Sequence, residues 1–195
     1  MARWACGALA NLNRVAAGPG GLQLLRQLNL NHRKIPMAFA EHELLIRRDA
    51  MAVYLYLLDA TNLPAWNDSV RSVRLLQGAS ASKGAVYRKM VAGRSGLSIP
   101  AELEITHARP GAEIQFRAIS GPAHRSGGYY LSTEAAGTRV RFALEARAEG
   151  TAGVLHRLRF LNRIGFLNRM LQRSVSTEVA QLERLKDVLE LQPAI

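Results

Sequence analysis

The hydrophobic pattern of this chain changes period once, near Gly150, and that change restricts the fold more than any other feature. Before it, apolar residues recur at every second position. Ala101, Leu103 and Ile105 alternate with Glu102 and Glu104, and Ile114, Phe116 and Ala118 alternate with Gln115 and Arg117. Val140, Phe142, Leu144 and Ala146 alternate with Arg139, Arg141, Glu145 and Arg147. One apolar and one polar face predict an antiparallel sheet packed on one side and solvated on the other. Val70, Val73 and Leu75, and the run from Val86 to Ala92, predict two further strands. Turn residues separate the strands, as in Arg109-Pro-Gly111, Ser120-Gly-Pro122 and Ala136-Gly137. After Gly150 the steps become three or four: Val154, Leu158, Leu161, Ile164, Leu167, Leu171, Val175, Val179, Leu182, Leu185 and Leu189. That is the spacing of one helix face. A helix of about 36 residues would be about 54 Å long, more than the width of a small domain, so a break is expected near Gly165.

Ahead of the sheet, a strand is expected from roughly Ala40 to Arg48. Asp49 is placed to cap a helix over Ala50 to Leu58, with Val53, Leu57 and Leu58 at helical spacing. Residues 59–68 read as a turn and a second short helical piece, with Pro64 suited to a first turn. A sheet with one apolar face must cover it, and the C-terminal helix is the only apolar element long enough. The expected class is therefore α+β: a curved antiparallel sheet of six to seven strands wrapped around a long C-terminal helix. The two short helices close one end and leave a concave space. This is the helix-grip arrangement, expected over residues 37–195. Residues 1–36 read as an N-terminal extension, with Gly18, Pro19, Gly20 and Gly21 amid too few apolar residues for a core. Met37 is the expected start of the regular domain.

Several tracts carry a resemblance. Arg48-Asp-Ala50 leads into the first helix, and Leu58-Asp59-Ala-Thr-Asn-Leu-Pro-Ala-Trp66-Asn67 follows it. Val70-Arg-Ser-Val-Arg-Leu-Leu76, Gly84 before a strand, Gly137-Thr138-Arg139-Val140 and Leu182-Glu-Arg-Leu-Lys186-Asp-Val-Leu-Glu190 follow in order. From about Phe39 to Leu191 the chain resembles the SRPBCC superfamily, also called Bet v 1-like or START-related. Within it, the polyketide cyclase/dehydrase-like branch is most similar. The resemblance implies a helix-grip fold enclosing a hydrophobic ligand such as a lipid, quinone or polyketide-like molecule. Only some members are enzymes, and its cyclases are thought to use Arg and Tyr side chains to orient a polyketide chain. Arg88 and Tyr130 are the candidates for that role here. The extension and the arginine-rich start of the last helix depart from the family pattern.

The chemistry of other classes is missing from the sequence. His32, His42, His107, His124 and His156 are scattered without paired spacing and Cys6 is the single cysteine, so no metal site is expected. No Walker A or dinucleotide fingerprint occurs, and Ser80-Ala-Ser-Lys83 meets only one of the three motifs of penicillin-binding enzymes. No cofactor is expected. One cysteine fits a reducing compartment, and no apolar run reaches the 18 to 20 or so residues of a membrane span. A cytoplasmic protein is the expectation.

The site candidates follow from the expected cavity. Phe116 and Phe142 point into it if the sheet curls, with Tyr54, Trp66 and Tyr130 at its mouth and Leu167, Met170 and Leu171 from the helix. Packed core is the competing reading for Phe116, Phe142 and Trp66. Arg88, His107 and Arg117 are candidate polar anchors or members of the solvated face, because a one-residue slip in register inverts every side chain. The net charge of +11 is uneven, concentrated in residues 1–40 and 150–177, which hold no acid. Arg159, Arg163, Arg169 and Arg173 share a helix side with Phe166 and Met170. Such a surface can meet an anionic membrane or a partner helix, placing the protein peripheral to a membrane. Alternatively, a break at Gly165 turns Phe166 and Met170 toward the pocket. Stacking aromatics are not interleaved with the arginines, so nucleic acid is not an expected partner. Binding of a small hydrophobic ligand without catalysis is the first expectation. A cyclase or dehydrase using the same cavity, or membrane or partner docking through residues 154–175, is the alternative.

Overall fold

The computed structural model describes residues 37–93, 96–121, 123–147 and 162–191, within the second of the chain's two units, residues 35–195. Residues 1–36, read as an extension, lie outside the described residues. So do Leu158, Leu161, Arg159 and the side chains of Arg163 and Ile164.

The strands are β1 (Met37–Ile46), β2 (Val70–Gln77), β3 (Val86–Ala92), β4 (Ser98–Arg109), β5 (Glu113–Ser120), β6 (His124–Glu134) and β7 (Gly137–Arg147). They form one seven-stranded sheet in the order β1-β7-β6-β5-β4-β3-β2, and every neighbouring pair is antiparallel. The expected alternation is clearest in β7, where Val140, Phe142, Leu144 and Ala146 are all buried and face inward. The outer face is a ladder of cross-strand ion pairs: Arg141 with Glu41, Arg139 with Glu43 and Glu134, Arg117 with Glu104, and Arg88 with Glu102. This ladder engages Glu41, Glu43, Glu102, Glu104 and Glu134.

The sequence carries no period-two run for β6, since Gly127 and Gly128 interrupt it. Its place in the sheet comes instead from register, with Leu131 opposite Val140 and Tyr129 opposite Phe142. Bulges at Val70/Ser72 and Leu75/Gln77 between β2 and β3, and at Glu102/Leu103 and Ile105/His107 between β4 and β5, bend these strands and help the sheet curl.

Helix α1 (Ala50–Leu58) begins at the expected cap: Asp49 accepts from the amides of Met51 at 2.9 Å and Ala52 at 3.0 Å. It packs on β5, β6 and β7. After a 3-10 turn at Ala60–Asn62, α2 (Leu63–Trp66) holds Pro64 in its first turn and packs against β2. The long helix α3 (Asn162–Ala180) runs through Gly165 without a break. The interruption falls instead at Gln181, before α4 (Leu182–Leu191). There the Gln181 amide bonds to the Glu178 carbonyl at 3.2 Å, an i to i−3 closure that tightens the last turn of α3. Leu171, Val175 and Val179 form the buried spine of α3, continued by Leu182, Leu185 and Leu189 in α4. This spine seats α3 against β1 and β7.

Gly137 makes the turn into β7 possible. Its φ is +142°, and a Cβ there would stand 2.2 Å from the Ile46 carbonyl oxygen and 2.9 Å from Arg47 Cα. Gly137→Ala should therefore cost about 3 kcal/mol or more, lowering Tm by about 6–12 °C. Gly84 also has a positive φ (+84°) but no atom within 4 Å of the added carbon, so Gly84→Ala should cost only about 1 kcal/mol. Equal melting of the two variants would refute the steric argument.

Candidate ligand-binding site

The inward side chains of the sheet meet in an aromatic cluster. Tyr129 stacks on Phe142 with ring centroids 4.6 Å apart, Phe116 lies 5.8 Å from Tyr129, and Trp66 meets Tyr129 edge-on at 6.3 Å. Tyr54, Trp66, Tyr129 and Phe142 are buried, and Phe116 packs against the same core. Together they fill the grip. The small space left among Leu57, Phe116, Tyr129, Lys89 and Glu178 is about 30 Å³, room for little more than water. Core packing is thus what Tyr54, Trp66 and Phe142 do.

A larger space adjoins this small one across Glu178. A cleft of about 630 Å³ runs between that helix and Ser69, Val91 and Ala92 at the ends of β2 and β3, with Arg125 of β6 at its floor. Its volume is within the range of small-molecule sites. Phe166, Arg169, Met170 and Arg173 of α3 form the facing wall, with Ser174, Thr177 and Glu178 deeper in. Phe166 and Met170 reach the cleft without a break at Gly165, because α3 bears on β1 and β7 with a different stripe. Leu171 of that stripe is core, and Leu167 is half-buried beside it.

A polar cluster forms the floor. Lys89 Nζ lies 3.7 Å from Glu178 Oε1. Arg125 donates from Nη1 to Glu178 Oε2 and from Nη2 to the Ser174 hydroxyl at 2.7 Å. Tyr129 stands close by, and burial, with the Glu178 charge added, pushes its phenol well above the ordinary tyrosine value. Sequence reasoning missed Lys89, Arg125 and Glu178. Glu178 alone left a signal: it sits three residues from Val175 and seven from Leu171, an acid at the border of the apolar stripe.

Other candidates face outward. Arg88 is bidentate to Glu102 Oε1, at 3.0 Å from Nε and 2.6 Å from Nη2. Arg117 pairs with Glu104 at 2.8 Å. His107 lies 3.9 Å from Glu113 on the same surface, and the Tyr130 ring lies beneath the Arg141 guanidinium, 4.4 Å from its centroid. Register puts His107 and Tyr130, read from the sequence as cavity candidates, on the outer face: Gln115 opposes His107 and Glu113 opposes Tyr130, and both partners belong to that face. Of the surface candidates, Arg169, Arg173 and Phe166 line the cleft. Among the described residues no cluster of His, Cys, Asp and Glu fits a metal ion, and no helix is long and apolar enough to cross a membrane.

No protein-family model and no curated protein matches the sequence. Solved structures match its fold. The shared architecture is a curved antiparallel sheet around a long C-terminal helix. The di-domain aromatase/cyclase StfQ from the steffimycin biosynthetic pathway is similar at TM-score 0.65 and 16% identity, over 89% of this chain and 61% of that one. The present chain thus spans under two thirds of that protein. The Zhui aromatase/cyclase from Streptomyces sp. R1128 is similar at TM-score 0.60 and 20% identity, over 79% of this chain and 94% of that one. Ara h 8.0201 is similar at TM-score 0.50 and 12% identity, over 76% and 98%. At these identities the likeness is one of fold.

Two predictions follow from the floor of the cleft. Removing the carboxylate in Glu178→Ala leaves two poorly solvated cations uncompensated and should cost about 3 kcal/mol by urea denaturation. A loss below about 1 kcal/mol would show that the cluster is solvated. The raised phenol of Tyr129 makes stability pH-dependent on the alkaline side. Below pH 10 the group is neutral folded and unfolded; above it, only the unfolded chain ionises readily, so stability falls as pH rises. Tyr129→Phe should shrink the drop in Tm between pH 9 and pH 11, leaving a residue from Tyr54 and Tyr56, whose burial shifts them the same way. An unchanged alkaline drop would count against the assignment.

Proposed function

We propose that this protein binds a small hydrophobic molecule in the cleft between α3 and the ends of β2, β3 and β6, as a binding protein rather than an enzyme. The observation that carries this reading is the contrast in volume: about 30 Å³ inside the grip against about 630 Å³ in the cleft. Room for a guest lies beside the helix, and Phe166, Met170 and Val91 supply it with apolar walls. Structural likeness to aromatase/cyclases makes a cyclase-type enzyme the alternative. Binding is favoured over it because the Arg and Tyr side chains that resemblance nominated, Arg88 and Tyr130, are occupied on the outer face. Glu178 is also engaged at both oxygens, by Lys89 and Arg125, which suits a structural acceptor.

Native mass spectrometry of gently purified protein tests the proposal. One small molecule per chain is expected on the wild type and its loss on Met170→Trp, which projects an indole into the cleft from its apolar wall. Met170 is 40% exposed, so this substitution should leave stability within about 0.5 kcal/mol. A wild type carrying nothing, or an adduct retained by the folded variant, overturns the reading.

A further inference from the structure

The floor of the cleft is short of one negative charge. Lys89 and Arg125 both turn to Glu178, and all three are largely withdrawn from water, with side-chain exposures of 15%, 22% and 14%. Two cations against one carboxylate leave a surplus positive charge in a poorly solvated place, and such a charge is stabilised by an anion brought to it. Glu178 is the only acid lining the cleft among the described residues. Lys89 meets Glu178 at 3.7 Å from the inner side, where it lines the small inner space and adds its charge without lining the cleft. The spare donors are at the cleft. Arg125 has used Nη1 and Nη2 for one bond each, out of five N–H groups. Nearer the rim, Arg169 spends its Nε on the Gly165 carbonyl at 3.3 Å, and Arg173 has no acidic partner among the described residues. The cleft is therefore cationic at its floor and at its rim, with Met170, Phe166 and Val91 as apolar wall between them.

We infer that the ligand is an amphipathic anion: a molecule whose carboxylate or phosphate monoester head sits against Arg125 and Ser174, with the Lys89 charge behind Glu178. Its apolar body lies along Phe166, Met170 and Val91. This rests on the binding reading above and narrows it, since a neutral quinone or lipid leaves the surplus charge uncompensated. The apolar body lies in the cleft, because the space beyond the floor is too small for an alkyl chain.

Calorimetric titration of the full chain with decanoate, decanol, decyl phosphate and inorganic phosphate tests it. Decanoate or decyl phosphate is expected to bind about tenfold or more tighter than decanol, the size of a charge-assisted hydrogen bond. The preferred head distinguishes a carboxylate from a phosphate ligand. The preference should disappear in Arg125→Gln, which leaves Lys89 and Glu178 as a balanced pair. Lys89→Gln, which leaves Arg125 and Glu178, serves if that variant fails to fold. Equal binding of decanoate, decyl phosphate and decanol overturns the inference while the cleft remains a hydrophobic site. No binding by any of the three overturns the binding reading itself. Inorganic phosphate binding as tightly as decyl phosphate overturns the amphipathic part, and an anion preference surviving in both folded variants overturns the assignment to the floor.

Discussion

The one-sided seating of α3 governs everything else in this molecule. Its spine of Leu171, Val175 and Val179 is buried against β1 and β7, the strands that carry the small inward residues Ala38 and Ala146. Small side chains let a helix approach a sheet closely, and the area buried there supplies the main cohesion. A rigid helix drawn onto one edge of a strongly curved sheet stands away from the opposite edge. The gap between α3 and the ends of β2 and β3 is the cleft. It is spanned by polar chemistry: Glu178 reaches from the helix to Lys89 on β3 and Arg125 on β6.

Packing and charge then divide the interior between two tasks. Trp66, Phe116, Tyr129 and Phe142 occupy the space that the curled sheet creates, so the centre of the grip is solid. The side facing the cleft is lined by longer and more polar residues, where solvent reduces the cost of ordering them. On the outer face, by contrast, arginines and glutamates are matched across the strands, with the bidentate Arg88–Glu102 pair as the best example. Arginines of β3, β5 and β7 are thus paired with acids on the outer face, whereas at the cleft Lys89 and Arg125 share the one carboxylate of Glu178.

The fold itself is shared with aromatase/cyclases and with Ara h 8.0201 at identities of 12 to 20%. One architecture carrying several chemistries means that function belongs to the side chains placed in it. Here the proposed reading rests on Arg125, Glu178 and the wall of α3.

The sequence by itself determined the order of every element but β6, the Asp49 cap, the curved sheet and the inward row of β7, because periodicity and capping are local properties that survive without tertiary context. It also marked Phe166, Met170, Arg169 and Arg173 as one helix side, since a helix fixes which of its own residues are neighbours. Only the tertiary structure decided between the members of adjacent pairs. Arg88 and Lys89, or Tyr129 and Tyr130, are equivalent in composition, and strand register sends Lys89 and Tyr129 inward and the others out. It also moved the helix interruption from Gly165 to Gln181 and filled the expected central cavity. Both outcomes depend on how far the helix can approach the sheet, and that distance is set by side chains brought together from opposite ends of the chain.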